Sequence, residues 1–214
     1  MHNRSRLPTL ASLLSLALLL QGCATLVGSV PFKYVPSLAG GEPLNVRLGM
    51  EKLVDKRPDG DRSATESITD VDEKVTAKLL EDFRSSQMFA AVDFPIQSDK
   101  DDLILKGEIK RFYWKLTPSP IIFIPLINLL IYFGIPIHDA EGIANVHVQL
   151  VSSKTGKVLA EYDKTSTRTA TFTLYNLKAG EAGSELADAF RDVAKQIKDA
   201  VLADGKAGRL SARD

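Results

Sequence analysis

Two long alternating segments joined by a tight polar turn constrain this chain more than any other feature. Gly142–Val151 places Ala144, Val146, Val148 and Leu150 on one face, and Val158–Thr169 follows the short string Ser152-Ser153-Lys154-Thr155-Gly156. A period of two over that length fixes one face against a core, and a five-residue polar connection lets the strands pair only as an antiparallel hairpin. Leu103–Leu116 is a third strand of the same kind, with Leu103, Leu105 and Ile109 on one side and Lys106, Glu108 and Lys110 on the other. Gly107 inside it marks a bulge or a close packing contact. Residues 44–54 alternate again through Leu44, Val46, Leu48 and Met50, and Ala91–Phe94 is a short strand.

Two segments carry the helical period instead. In Val71–Met88, Val71, Val75, Leu79 and Phe83 recur on one side with Leu80 beside them. Thr69 and Asp70 are the capping candidates, and Asp72 and Glu73 suit the first turn. In Ser184–Leu202, the stripe is Leu186, Phe190, Val193, Ile197 and Val201. One-sided stripes must be buried against something, and the strands offer one apolar face. The expected architecture is α+β: a mostly antiparallel sheet with two amphipathic helices packed on one face. Asp55–Arg62, rich in charge with Pro58 and Gly60, reads as a turn whose Asp55, Asp59 and Asp61 are ion-paired with Lys56, Arg57 and Arg62 or solvated.

The amino-terminal segment is built differently. Arg4 and Arg6 precede an apolar stretch from Leu7 to Leu20, and Gln21-Gly22 leads into Cys23, the single cysteine of the chain. The stretch is about 14 residues, short of the roughly 20 that a membrane-spanning helix needs. Charge, apolar run and small residue in that order form an export signal. Leu20-Gln21-Gly22-Cys23 resembles the cleavage box of bacterial lipoproteins. That resemblance implies removal of residues 1–22, diacylation of the Cys23 thiol and acylation of the new amine. Ala24 after the cysteine implies sorting to the outer membrane, with the chain facing the periplasm. Multiple acyl chains anchor stably where one is marginal. The only cysteine is then consumed, so the fold holds through its core without a disulfide.

The chain has 27 basic and 27 acidic residues; the two arginines in the signal leave 25 against 27 beyond it, close to −2. That balance argues against a nucleic-acid partner. Residues 23–43, with Pro31, Pro36, Gly40, Gly41 and Pro43, read as a lipidated tether. Residues 44–204 read as one α+β domain and 205–214 as a disordered polar tail.

The order of elements resembles small envelope lipoproteins: the lipopolysaccharide-assembly lipoprotein, auxiliary lipoproteins of envelope transporters, and the N-terminal domain of the Tol translocation protein. The residues that carry it are Leu44–Asp55 with its Asp55-x-Arg57 turn, the helix running into Gln87-Met88-Phe89-Ala90-Ala91-Val92, and Asp101–Ile109. It implies a periplasm-facing binding or assembly module with an envelope protein partner, and it brings no catalytic residues.

One segment departs from that pattern. Thirteen of the 17 residues from Ile121 to Ile137 are apolar, and no charged residue lies in the loop 117–137. Pro125 and Gly134 leave only Leu126–Phe133 for helix, about 12 Å against about 30 Å of hydrocarbon. Three readings stand: the loop folds back as core, dips into the membrane beside the anchor, or meets a partner. Its candidate contact residues are Ile121, Ile122, Phe123, Ile124, Leu126, Leu129, Leu130, Tyr132 and Phe133, with Tyr113, Trp114 and Tyr132 suited either to an interfacial belt or to a core. No metal or cofactor site is expected: His138, Asp139 and Glu141 read as a solvated turn, and no nucleophile elbow or phosphate loop occurs. The Thr-rich string Thr165–Thr173 suits a polar edge strand, or one that accepts a partner strand. The expectation is a non-enzymatic accessory, or a structural subunit of an oligomeric secretion or export complex.

Overall fold

The computed structural model describes residues 34–36, 43–64, 68–97, 99–124, 127–176 and 183–210. Cys23 with the expected export signal, most of the expected tether, Leu126 and residues 211–214 lie outside them.

The elements run β1 (Leu44–Met50), β2 (Val54–Asp55), α1 (Asp59–Ala64), α2 (Val71–Ser86), β3 (Phe89–Asp93), β4 (Leu103–Pro118), two 3-10 helices (Pro120–Phe123 and Ile127–Phe133), β5 (His138–Ser152), β6 (Val158–Phe172) and α3 (Ser184–Lys206). The strands form one sheet in the order β3-β1-β4-β5-β6, with β2 also on β4. The α+β class is as expected; the pairing corrects the rest. β4–β5 and β5–β6 are antiparallel, but β1 runs parallel to both β3 and β4, and β2 runs parallel to β4. The sheet is mixed, with six strands. The connection between β1 and β3 carries α2, the crossover that parallel neighbours require.

The alternation of the long strands decides the buried face. Leu103, Leu105, Ile109, Phe112 and Trp114 of β4 join Ala140, Ala144, Val146, Val148 and Leu150 of β5 in one hydrophobic cluster. The phase of β4 shifts between Ile109 and Arg111, where an irregularity adds a residue to β4. That bulge explains why the buried positions change from odd to even numbers there. It sits beyond Gly107, whose role is closeness: a Cβ there would stand 2.2 Å from the His147 carbonyl oxygen.

The helical stripes fill the same cluster. Val71, Val75, Leu79, Leu80 and Phe83 of α2 are buried with Leu186, Phe190, Val193, Ile197 and Val201 of α3. Asp70 holds the N-cap position of α2 in a left-handed conformation without a capping side-chain bond, and Gln87, also left-handed, ends the helix. Among the described residues there are three helices, since α1 forms where a charged turn was expected. The carboxyl end also differs from the disordered tail expected from residue 205. α3 continues to Lys206, and Leu210 is buried in the core.

Two features hold the layers in place. Lys198 Nζ of α3 lies 2.7 Å from Asp82 Oδ2 of α2, with side chains 1% and 0% exposed. A buried pair of this kind ties two elements because removing either member strands the other's charge. Tyr34 is the second. It belongs to the expected tether, yet it is buried with its ring 5.1 Å from that of Phe190, which in turn lies 6.1 Å from Phe112. Burial, then the Asp82 carboxylate, pushes the Tyr34 hydroxyl above the usual tyrosine range.

Candidate functional site

β4 and β5 stay paired as far as Pro118 and His138. At that limit Ser119 N–H donates to the Ile137 carbonyl at 2.8 Å, and Ile137 N–H donates to the Phe172 carbonyl of β6 at 2.8 Å. Three strands are therefore bound together at the base of the apolar loop. Beyond this base the backbone closes on itself: Ile122 N–H reaches the Ser119 carbonyl, Ile124 N–H the Ile121 carbonyl, and Gly134 N–H the Ile131 carbonyl. Pro120 begins the first 3-10 helix, and Gly134, with φ of 84°, turns the chain back toward β5.

The loop does not return to the core. Phe133 is 82% exposed and Phe123 73%, and Ile124, Leu129, Leu130 and Tyr132 are exposed as well. Ile121 and Ile122 are half-buried, and Ile137 alone among the described isoleucines of the segment is buried. The candidate residues thus gather in one tip at the end of the sheet, with Leu126 outside the described residues. Leu174 and Tyr175, just past β6, are also exposed, and the Tyr175 hydroxyl donates to the Tyr132 carbonyl. The sequence reading did not include these two, because they follow a polar strand and only pairing with β5 brings them here.

The proposed aromatic belt divides. Tyr132 is on the exposed tip, whereas Trp114 is buried below it and donates Nε1–H to Glu185 Oε2 at 2.8 Å. Tyr113, half-buried, donates to Glu141 at 3.3 Å and lies beneath the Arg111 guanidinium, 5.0 Å away. Burial, followed by the Glu141 charge, raises its hydroxyl above the ordinary range. Arg111 in turn bonds both carboxylate oxygens of Asp61, at 3.0 and 3.2 Å. Charged side chains therefore lie on the strands beneath the tip, and residues 117–137 carry none.

The remaining candidates are placed elsewhere. Asp139 accepts from the Thr171 hydroxyl, and His147 Nε2 is 3.2 Å from Glu161. Among the described residues no group of three or more His, Cys, Asp or Glu side chains converges as a metal would require. Thr165–Thr171 falls on β6, at the sheet edge, with Thr173 just beyond it. Of the two expectations for the Asp55 turn, ion pairing is the one seen. Arg57 is buried, binds Asp55 through Nε and Nη2 at 3.0 and 2.9 Å, and donates to the Phe112 carbonyl at 3.1 Å. A cleft of about 390 Å³ on the sheet opens between Lys52, Lys56, Lys106, Glu108 and His147. Its walls carry both signs of charge.

Comparison with known proteins gives a fold and no family. No family model matches the chain, and no curated protein matches it in sequence. Its fold is similar to that of a Xanthomonas campestris protein of the DUF330 family, with TM-score 0.55 and 13% identity over 84% of this chain and 97% of that one. A neuraminyllactose-binding hemagglutinin homolog from Helicobacter pylori aligns with TM-score 0.49 and 11% identity, over 84% and 97% of the two chains. A minor lipoprotein from Acinetobacter baumannii aligns with TM-score 0.42 and 10% identity, over 76% and 95%. The likeness to the lipopolysaccharide-assembly and Tol layouts stays a resemblance of sequence. Among the described residues no helix is long and apolar enough to cross a membrane.

Proposed function

We propose that this chain is a non-catalytic lipoprotein of the bacterial outer membrane, held by acyl chains on Cys23 and facing the periplasm. It acts as an accessory, assembly or binding subunit in envelope transport or maintenance, and its working surface is the tip formed by residues 117–137. The observation that carries this reading is the exposure of Phe123, Leu129, Tyr132 and Phe133 together on a segment without a charge. A soluble domain gains nothing in stability from such a patch, and patches of this kind are contact surfaces. The Leu20–Cys23 box supports the anchor. The two arms are tested separately. Labelling with a palmitate analogue should mark the wild type and leave Cys23→Ser unmarked; an unmarked wild type removes the anchor. Replacing Ile121–Phe133 by a short Gly/Ser linker should abolish recovery of envelope components after crosslinking while the domain still unfolds cooperatively. Unchanged recovery removes the tip.

A second reading rests on the position of β6, which ends the sheet along 15 residues. An open edge accepts a strand from another chain. It supports a structural subunit of an oligomeric secretion or export complex, and the solution mass of the acylated chain in detergent distinguishes the two.

A further inference from the structure

We infer that the tip is a second membrane contact: it dips into the boundary between headgroups and acyl chains of the same leaflet that holds Cys23. The inference rests on the anchor and tip readings above and names the occupant of the tip as a lipid bilayer.

The first argument is reach. Tyr34 is fixed on Phe190, and Phe190 packs on Phe112 of β4. Phe112 and Pro118 are six residues apart on one continuous strand, so the base of the tip is about 20 Å from the level of Tyr34. Eleven residue steps separate Tyr34 from Cys23, and an extended chain of that length spans at most about 36–40 Å. The acyl chains on Cys23 can therefore occupy the layer into which the tip projects, with chain to spare. At the opposite end of the hairpin the exposed turn is Lys154-Thr155-Gly156-Lys157, which has nothing to offer hydrocarbon.

The second argument is chemistry. A protein partner site of ordinary kind mixes an apolar centre with a polar rim that supplies hydrogen bonds. Here residues 117–137 contain no Asp, Glu, Lys or Arg, so the tip brings no charged group of its own to such a rim. Its backbone is turned inward by the two 3-10 helices, and Tyr132 and Tyr175 stand at the surface as amphipathic rings. Aromatic rings beside bare aliphatic side chains are what an interface between water and lipid selects. Backbone that lines up its own hydrogen bonds is what that depth tolerates.

The consequence is orientation. A single attachment lets the domain tumble, while an attachment plus a tip stands β4, β5 and β6 upright on the membrane. That presents the β6 edge and the charged cleft to the periplasm at fixed heights.

The test uses the acylated full chain carrying Phe133→Trp, reconstituted in phosphatidylethanolamine and phosphatidylglycerol vesicles containing brominated acyl chains. Lys157→Trp is the control at the far end, and Leu129→Trp is a second tip reporter should the first fold poorly. The tip reporters should shift to the blue and be quenched by bromine, with Lys157→Trp unaffected. Phe133→Asp should lower vesicle partitioning of the Cys23→Ser full chain by about tenfold. A tip reporter that stays open to aqueous iodide while the protein floats with the vesicles overturns the inference and leaves the anchor standing. A reporter equally shielded without vesicles also overturns it, because protein then covers the tip. If the wild type does not float, the anchor reading has failed, and quenching of the same reporter on added, unacylated chain decides the tip independently.

Discussion

The two ends of the β4–β5–β6 sheet solve the same task of reversing a strand in opposite ways. At one end β5 turns into β6 through Ser152–Lys157, closed by Ser152 N–H to the Lys157 carbonyl and Gly156 N–H to the Ser152 carbonyl, each at 2.9 Å. Ser153 is tied back to the Asp101 carbonyl, and its N–H donates to the Asp102 carbonyl at 3.1 Å. Ser152 and Ser153 there work for the fold, and the length is that of an ordinary hairpin. At the other end the connection is several times longer, and it exposes Phe123, Ile124, Leu129, Leu130, Tyr132 and Phe133. A turn needs neither that length nor that composition. On the proposed reading the excess serves a contact outside the domain, which puts stability and contact in different parts of the molecule.

Substitutions can break that division. Asp82→Ala should have the largest effect, because it strands Lys198 inside the helix layer. We expect a loss of about 3–5 kcal/mol in urea unfolding, partly recovered when Lys198→Met is added. Gly142→Ala comes next. A Cβ there would stand 2.3 Å from the Leu186 nitrogen and 2.4 Å from the Glu185 carbonyl carbon, so the start of α3 must lift from β5. About 1–3 kcal/mol should be lost in the same measurement.

A smaller effect is expected in acid. Burial works to raise the Asp55 carboxyl, but the Arg57 hydrogen bonds and charge, with Arg62, overcome it and hold the group below the usual carboxylate range. With the folded value depressed, the contribution is complete above about pH 4 and is lost as pH falls through the lower folded value. Asp55→Asn should flatten that part of the acid limb in a series of denaturant midpoints. Least of all should be felt from Phe133→Ser, with unfolding unchanged within about 0.5 kcal/mol. A large loss there would return the tip to the core and erase the contrast between the two ends.

The legible parts of the fold were those where period alone decides. β4, β5, β6, α2 and the start of α3 follow from stripes of Leu, Val, Ile and Phe, because only one phase buries them. The direction of β1 and β3 does not follow from period. A strand of seven residues or five alternates identically whether its neighbour runs with it or against it, and the crossover through α2 settles the matter. Asp82 and Lys198 were hidden for a related reason. Each lies beside a stripe residue, Phe83 or Ile197, where charge ordinarily means solvent, and the pairing exists only once α2 meets α3. Pairing of Arg57 with the turn's carboxylates was open to the sequence, but its burial was not, because the Phe112 carbonyl meets it only in the folded chain. Of the candidate site, the uncharged run was plain in the sequence. Its exposure was not, since an apolar loop and an apolar plug have the same composition.

The position of β1 carries a mechanical consequence. β1 is hydrogen-bonded on both sides, to β3 and to β4, and Tyr34 is wedged against α3 before the chain reaches it. Tension applied at the amino terminus meets the Tyr34 wedge first and an interior strand second. Such a strand must be sheared past two neighbours at once, whereas an edge strand peels away bond by bond. Among the described residues, a pull from the amino-terminal side is therefore carried through Tyr34 into a strand held along both edges.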